Sequence, residues 1–202
     1  FIATATVSFA LFLAVTASYA LARVPFRGRG LLLMTILAVP MFPQIAVLAG
    51  LFELVRFLCI FNTPWALILS YTTFPLPFTV WVLTTFMRDL PVEIEEAAIV
   101  DGATPWVIIT KVFLPLLWPA LVTTGLLAFI GAWNEFITAT VMVNGYALKN
   151  IQMAIYDYIG FFGQEWGPLC GAATLAIIPI LLVFTFLGKQ LVSGLTAGAV
   201  KG

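Results

Sequence analysis

Four of the nine acidic residues in this 202-residue chain, Glu93, Glu95, Glu96 and Asp101, fall within nine consecutive positions, and almost everything around them is hydrocarbon. Carboxylates crowded like this need water, the positive end of a helix or a cationic partner. A second polar group, Trp133, Asn134 and Glu135, interrupts an apolar run. An aromatic face beside an amide and a carboxylate suits a sugar: the ring covers C–H groups and the polar atoms meet hydroxyls. An ionisable residue inside an apolar span is costly and faces protein or a watery cavity. Gln44, Tyr71 and Thr72, near proline-interrupted stretches, are further candidates for the same polar path. The competing role for this set is a packing or gating cluster that hydrogen-bonds between helices.

Other chemistries find little support. The chain has no His, and its two cysteines, Cys59 and Cys170, lie far apart outside any CxxC spacing. No metal site is expected, and the cysteines read as small apolar packing residues. No GxxxxGK[ST] is present; Gly188-Lys189-Gln190 has the wrong residue after Lys and no glycine at the right distance upstream. ATP chemistry therefore belongs elsewhere. An intramembrane enzyme would want His, paired in-span Asp or a Ser-Lys arrangement, and none is found. A formal charge of zero gives no basic surface for nucleic acid.

The elements that must position these residues follow from composition. The chain is 62% hydrophobic and 9% charged, against about 25% charged for a soluble domain. It reads as an all-α polytopic membrane protein. A spanning helix needs about 20 mainly apolar residues. Five such runs are present, over residues 1–22, 31–54, 65–87, 116–143 and 168–188. The second and third carry paired prolines, Pro40 with Pro43 and Pro75 with Pro77, which kink a helix by removing a donor and crowding the preceding turn. Lys and Arg set the orientation. With the loop holding Arg23, Arg27 and Arg29 in the cytoplasm, Arg88, Lys111, Lys189 and Lys201 also fall inside, and only Arg56 and Lys149 fall outside. The acidic stretch and the tail (189–202) are then cytoplasmic. The mixed segment 144–167 faces outward.

The acidic stretch has its own local order. Pro91 suits a first helical turn, where the nearby glutamates also meet the positive end of the dipole. Glu93 and Glu96 share a face at i, i+3. Gly102 suits a helix stop. Thr104 reads as an N-cap and Pro105 as the first residue of a second helix that ends near Leu114-Pro115. Residues 89–115 thus form two short helices, either a solvated loop or a surface that docks into a partner.

Glu96-Ala97-Ala98, Asp101-Gly102-Ala103 and Val112-Phe113-Leu114-Pro115, with Pro119 beyond, resemble the EAA loop of the membrane subunits of bacterial binding-protein-dependent ABC importers. Gly131-Ala132-Trp133-Asn134-Glu135-Phe136 is similar to a segment of the maltose-type carbohydrate permeases. The ending Gly194-Leu195-Thr196-Ala197-Gly198 through Gly202 is similar to the tail of their second membrane subunit. The resemblance covers nearly the whole chain and implies a type I ABC importer permease fold. Six spans are expected in the full chain, the first lying ahead of Phe1. It implies that Glu93, Glu96, Ala97, Ala98, Asp101, Gly102, Ala103, Leu114 and Pro115 couple the permease to an ATPase. It further implies two nucleotide-binding ATPase subunits carrying ATP and Mg, a companion permease, an extracytoplasmic solute-binding protein that meets segment 144–167, a carbohydrate substrate, and a multi-pass place in the bacterial inner membrane. The tail at 198–202 would reach toward the ATPase dimer, and the resemblance implies that the main substrate contacts lie largely on the companion subunit. The competing class is a secondary transporter or channel subunit driven by an ion gradient, which would want in-span acidic residues in several helices and often an inverted repeat.

Overall fold

The computed structural model describes residues 1–160 and 163–199. In chain order its helices are α1 (Ile2–Arg23), α2 (Arg29–Ala38), α3 (Gln44–Phe57), α4 (Pro64–Thr73), α5 (Leu76–Asp89), α6 (Val92–Val100), α7 (Pro105–Val107), α8 (Leu114–Leu116), α9 (Trp118–Asn134), α10 (Ile137–Met142), α11 (Ile151–Tyr156) and α12 (Trp166–Ala199). Strands β1 (Ile159–Gly160) and β2 (Gly163–Gln164) make one small antiparallel pair between α11 and α12.

Small side chains make α1 the central helix. It buries Ala3, Thr6, Ala10, Ala14, Ser18 and Leu21 at helical spacing, the kind of stripe that lets helices approach where lipid offers no hydrophobic drive. It packs on α4, α5 and α9, and α12 lies against α9. Ser18 Oγ donates to Val80 O on α5 at 3.0 Å. A Cβ on Gly125 of α9 would stand 3.3 Å from Leu11 Cδ1, so glycine keeps that crossing tight. Two apolar clusters result. One, around Leu83, Met87, Ile108 and Phe113, sits beneath α6. The other, around Leu67, Tyr71, Ala139 and Met142, sits at the opposite end.

The helix ends gather in two groups. Arg23 Nη2 donates to the carbonyls of Met87 (2.7 Å) and Leu90 (2.8 Å), so α1 and α5 finish together beside α6. At the other end Asn62 N–H donates to Met142 O (3.2 Å), and Asn144 N–H to Asn62 Oδ1 (2.9 Å).

Several helices differ from the sequence expectation. The run at 31–54 is two helices that turn by 106°, since Val39–Met41 is a 3-10 turn and Phe42 and Pro43 are extended. A residue before proline is pushed out of the helical region. The run at 65–87 bends by 52° between α4 and α5. The run at 116–143 breaks at Glu135, whose backbone is extended, leaving α9 and α10. α12 continues as helix past residue 188 into the tail; Val200, Lys201 and Gly202, on which part of the tail expectation rests, lie outside the described residues. Among the described residues, α1 and Trp166–Gly188 are long and apolar enough to cross a membrane, and up to five spans arise if each bent pair counts once. Cys59 and Cys170, expected to pack inside, are both exposed: Cys59 lies in the turn after α3 and Cys170 on the outer side of α12.

A candidate coupling surface and a polar cavity

The acidic stretch folds as two short helical segments. α6 begins after Pro91, which stands at the N-cap rather than in the first turn. It ends at Asp101, with Gly102 at φ +80. Gly102 N–H donates to Ile99 O (2.9 Å) and Ala103 N–H to Ala98 O (2.9 Å), the paired bonds of a Schellman stop. Ala98 and Ala103 both pack on the apolar cluster beneath. Pro105 opens the second segment. Thr104 holds the N-cap position there, with no side-chain cap bond. A π-helical turn at Ile108–Phe113 precedes Leu114. Pro115 has no N–H for the carbonyl of Lys111, so regular α-helical bonding cannot run through this turn. An 82° bend then leads into α9.

α6 shows two faces. Glu93, Glu96, Ala97, Val100 and Asp101 are exposed, as are Val92 and Ile99. Acidic and apolar groups thus alternate on one outward surface. The inner side carries Ile94, Glu95 and Ala98. Glu95 stood out in the sequence only as one of the acidic group and not among the coupling residues, yet it holds the helix in place. Tyr19 Oη donates to Glu95 Oε1 at 2.7 Å. Arg23 Nε lies 3.4 Å from Glu95 Oε2, with the two side chains 7% and 12% exposed. That pair is electrostatic, since Nε makes no aligned hydrogen bond. The Arg23 guanidinium also lies 5.2 Å from the Phe113 ring centre, a cation–π contact. The available signal was spacing: Tyr19 and Arg23 are i, i+4 on α1, and Glu95 shares its face with Ala98.

At the other end of the bundle a cavity of about 270 Å³ lies between α3, α4, α5 and α9. Gln44, Tyr71 and Glu135 line it, with Phe74, Phe78 and Thr79 on its walls. Glu135 is held on two sides: Gln44 Nε2 donates to both carboxylate oxygens (3.2 and 3.1 Å), and Thr138 N–H donates to Oε1 at 2.8 Å, capping α10. Asn150, also missed from sequence, donates through Nδ2 to Tyr71 Oη (3.2 Å) and to the Glu135 carbonyl, while its Oδ1 caps α11 by accepting from Met153 N–H (2.9 Å).

The six residues suggested for a polar path therefore separate. Gln44, Tyr71 and Glu135 converge. Thr72 bonds back to Ile68 O (2.8 Å) and lines a different, mainly apolar cleft. Trp133 stacks on Phe129 and donates its indole N–H to Ala176 O on α12 (3.1 Å), which makes it an interhelical packing residue. Asn134 bonds Ile130 O and accepts from Gln152 outside the cavity. Glu135 itself sits at a helix break instead of within a continuous span.

With this geometry in hand, the chain can be placed. It belongs to the family of binding-protein-dependent transport system inner membrane components, whose profile matches residues 3–196. Members are transport permease subunits and not enzymes, they are components of the inner membrane, and they work with an ATPase and a binding protein. The chain is 38% identical over 192 residues to the sulfoquinovosyl glycerol transport system permease SmoH of Agrobacterium fabrum, covering 95% of this chain and 67% of that protein. It is 37% identical over 187 residues to the trehalose/maltose transport system permease MalG of Thermococcus litoralis (92% and 67% covered). It is 38% identical over 199 residues to the trehalose transport system permease SugB of Mycobacterium tuberculosis (98% and 73%). Among solved structures it shares the fold of a bacterial ABC transporter for the acidic polysaccharide alginate, with a TM-score of 0.71 at 23% identity over 93% of this chain and 74% of that one. It also shares the fold of the MetNI methionine ABC transporter in an inward-facing form, with a TM-score of 0.65 at 19% identity over 96% of this chain and 93% of that one.

Proposed function

We propose that this chain is the permease subunit of an ATP-driven importer that moves a carbohydrate, a di- or oligosaccharide or related solute, across the bacterial inner membrane by alternating access. The observation that carries the reading is α6: a helix with an exposed acidic and apolar face, anchored to the bundle by its other face. Such a helix can enter a groove on an ATPase and pass on the groove's movement, because a partner that binds two states differently shifts their balance. Glu93, Glu96, Ala97 and Asp101 make the contact. Ala98, Gly102 and Ala103 fix the turn beneath it, and Leu114 and Pro115 end the second segment.

The single domain, residues 1–202, then has five spans: α1, α2–α3, α4–α5, α9 running on into α10, and α12. The segment from Pro105 to Leu116 meets α9 at 82°, a bend that suits a helix lying along the membrane surface. Residues 89–115 and the tail face the cytoplasm; segment 144–167 faces outward toward the solute-binding protein. Two ATPase subunits holding ATP and Mg and a companion permease complete the assembly. The Gln44–Tyr71–Glu135 cavity lies on the solute's path. At about 270 Å³ it is just below the usual ligand-pocket range of about 300–1,000 Å³, so it suits one sugar ring at a time. An ion-driven secondary transporter is disfavoured by the family membership. The test is uptake of labelled trehalose and maltose into proteoliposomes containing the full complex. Uptake that needs both ATP inside and binding protein outside supports the reading; uptake driven by an ion gradient without ATP refutes it.

A further inference from the structure

Two prolines leave two carbonyls open where α1 and α5 end. In a regular helix the carbonyl of Met87 accepts from residue 91 and that of Leu21 from residue 25. Both positions are proline, Pro91 and Pro25, and supply no N–H. Each open carbonyl is filled by an arginine from the other helix. Arg23 of α1 donates to Met87 O at 2.7 Å. Arg88 of α5 donates to Leu21 O at 3.1 Å. Arg23 then reaches Leu90 O (2.8 Å) and pairs with Glu95 of α6, which Tyr19 also holds. α6 has no fully buried residue of its own, so apolar packing alone holds it weakly.

We propose that Arg23, Arg88 and Glu95 are positioning residues forming a transmission joint that makes α6 move as one body with α1 and α5. This rests on the coupling reading of α6. The two carbonyls can be satisfied together only if the helix ends stay in register, and the buried ion pair leaves α6 no cheap way to slide. A push on α6 is therefore delivered to the central helix of the bundle and to the lower half of the bent α4–α5 pair, whose break borders the Gln44–Tyr71–Glu135 cavity at Pro75.

The test uses the complete complex in proteoliposomes and measures solute taken up and ATP hydrolysed in the same vesicles. Glu95→Gln keeps the shape and loses the charge. Arg88→Gln leaves Leu21 O open. Both are expected to assemble and hydrolyse ATP, with solute moved per ATP lower by about fivefold or more, the scale of a typical coupling between sites. Trp133→Phe, which removes a hydrogen bond elsewhere, leaves that ratio unchanged. An unchanged ratio in both joint variants overturns the proposal. If either variant fails to assemble, Tyr19→Phe decides, since it keeps the ring beside Phe113 and loses only the bond to Glu95. Amide exchange of residues 92–103 in that complex is expected to quicken, and unchanged exchange with an unchanged ratio overturns the joint. A wild-type complex that takes up no solute with ATP would instead refute the permease reading, and the exchange measurement would still judge the joint.

Discussion

Gly102 offers a graded perturbation of the turn that presents α6. Its φ is +80, and an added Cβ would meet no atom within 4 Å. Gly102→Ala therefore carries no steric penalty from neighbours, only the cost of a left-handed backbone, about 1 kcal/mol. Gly102→Asn costs less, because Asn visits that region with help from its side chain. Gly102→Pro is different in kind. Its φ is locked near −65°, and it loses the N–H that donates to Ile99 O at 2.9 Å, for a cost of about 3 kcal/mol or more. At about 1.4 kcal/mol per decade, Ala lowers the equilibrium constant for forming the docking-ready turn about fivefold and Pro more than about a hundredfold. The assay is titration of the purified permease with its ATPase, read as a dissociation constant. The expected order of affinity is wild type, Asn, Ala, Pro. If Asn and Ala weaken binding as much as Pro, the position acts by direct contact with the partner and the backbone argument is refuted. If Pro binds like wild type, α6 is not the docking element.

Other outcomes follow from the same contacts. Glu96→Lys reverses charge on the exposed face of α6 and is expected to abolish ATPase binding while leaving membrane insertion unchanged, as checked by pull-down and membrane fractionation. Glu135→Ala removes the cap of α10 and strands Gln44, costing about 2–4 kcal/mol in all; transport falls while ATPase binding persists. Asn150→Ala frees α11 from Tyr71 and the Glu135 carbonyl and is expected to lower stimulation by the binding protein. Trp133→Phe loses one bond to Ala176 O, about 1 kcal/mol; it lowers thermal stability and leaves the KM for uptake unchanged.

Much of this was legible in the sequence because a few local rules are strong. The Gly102 stop and Pro105 start came from turn chemistry. The membrane class came from the scarcity of charge. The breaks were harder. Pro40 and Pro43 announce a kink, but its size of 106° depends on Phe42 before Pro43 adopting an extended backbone. Glu135 looked like a charge within a span; it ends α9 because its carboxylate caps α10 and receives Gln44, partners that are 3 and 91 residues away. Trp133 and Asn134 are neighbours of Glu135 in sequence, yet the helix turns them toward α12 and Gln152. Arg23 read as a topology signal from its charge alone. Spacing placed Tyr19 and Arg23 on one face of α1, but that this face meets α6 became visible only when Pro91, Met87 and Glu95 came together.

On the proposed function, α6 meets the ATPase and the opposite end of the bundle meets the solute-binding protein. Val100 on α6 and Tyr146 beyond α10 are each 87% exposed, which makes them matched reporters. The exposed Cys59 and Cys170 are first changed to Ser, and Val100→Cys and Tyr146→Cys are then made singly. Crosslinking in the assembled complex is expected to join position 100 to the ATPase and position 146 to the binding protein. Position 100 joined to the binding protein, or position 146 joined to the ATPase, would overturn this placement of the two ends.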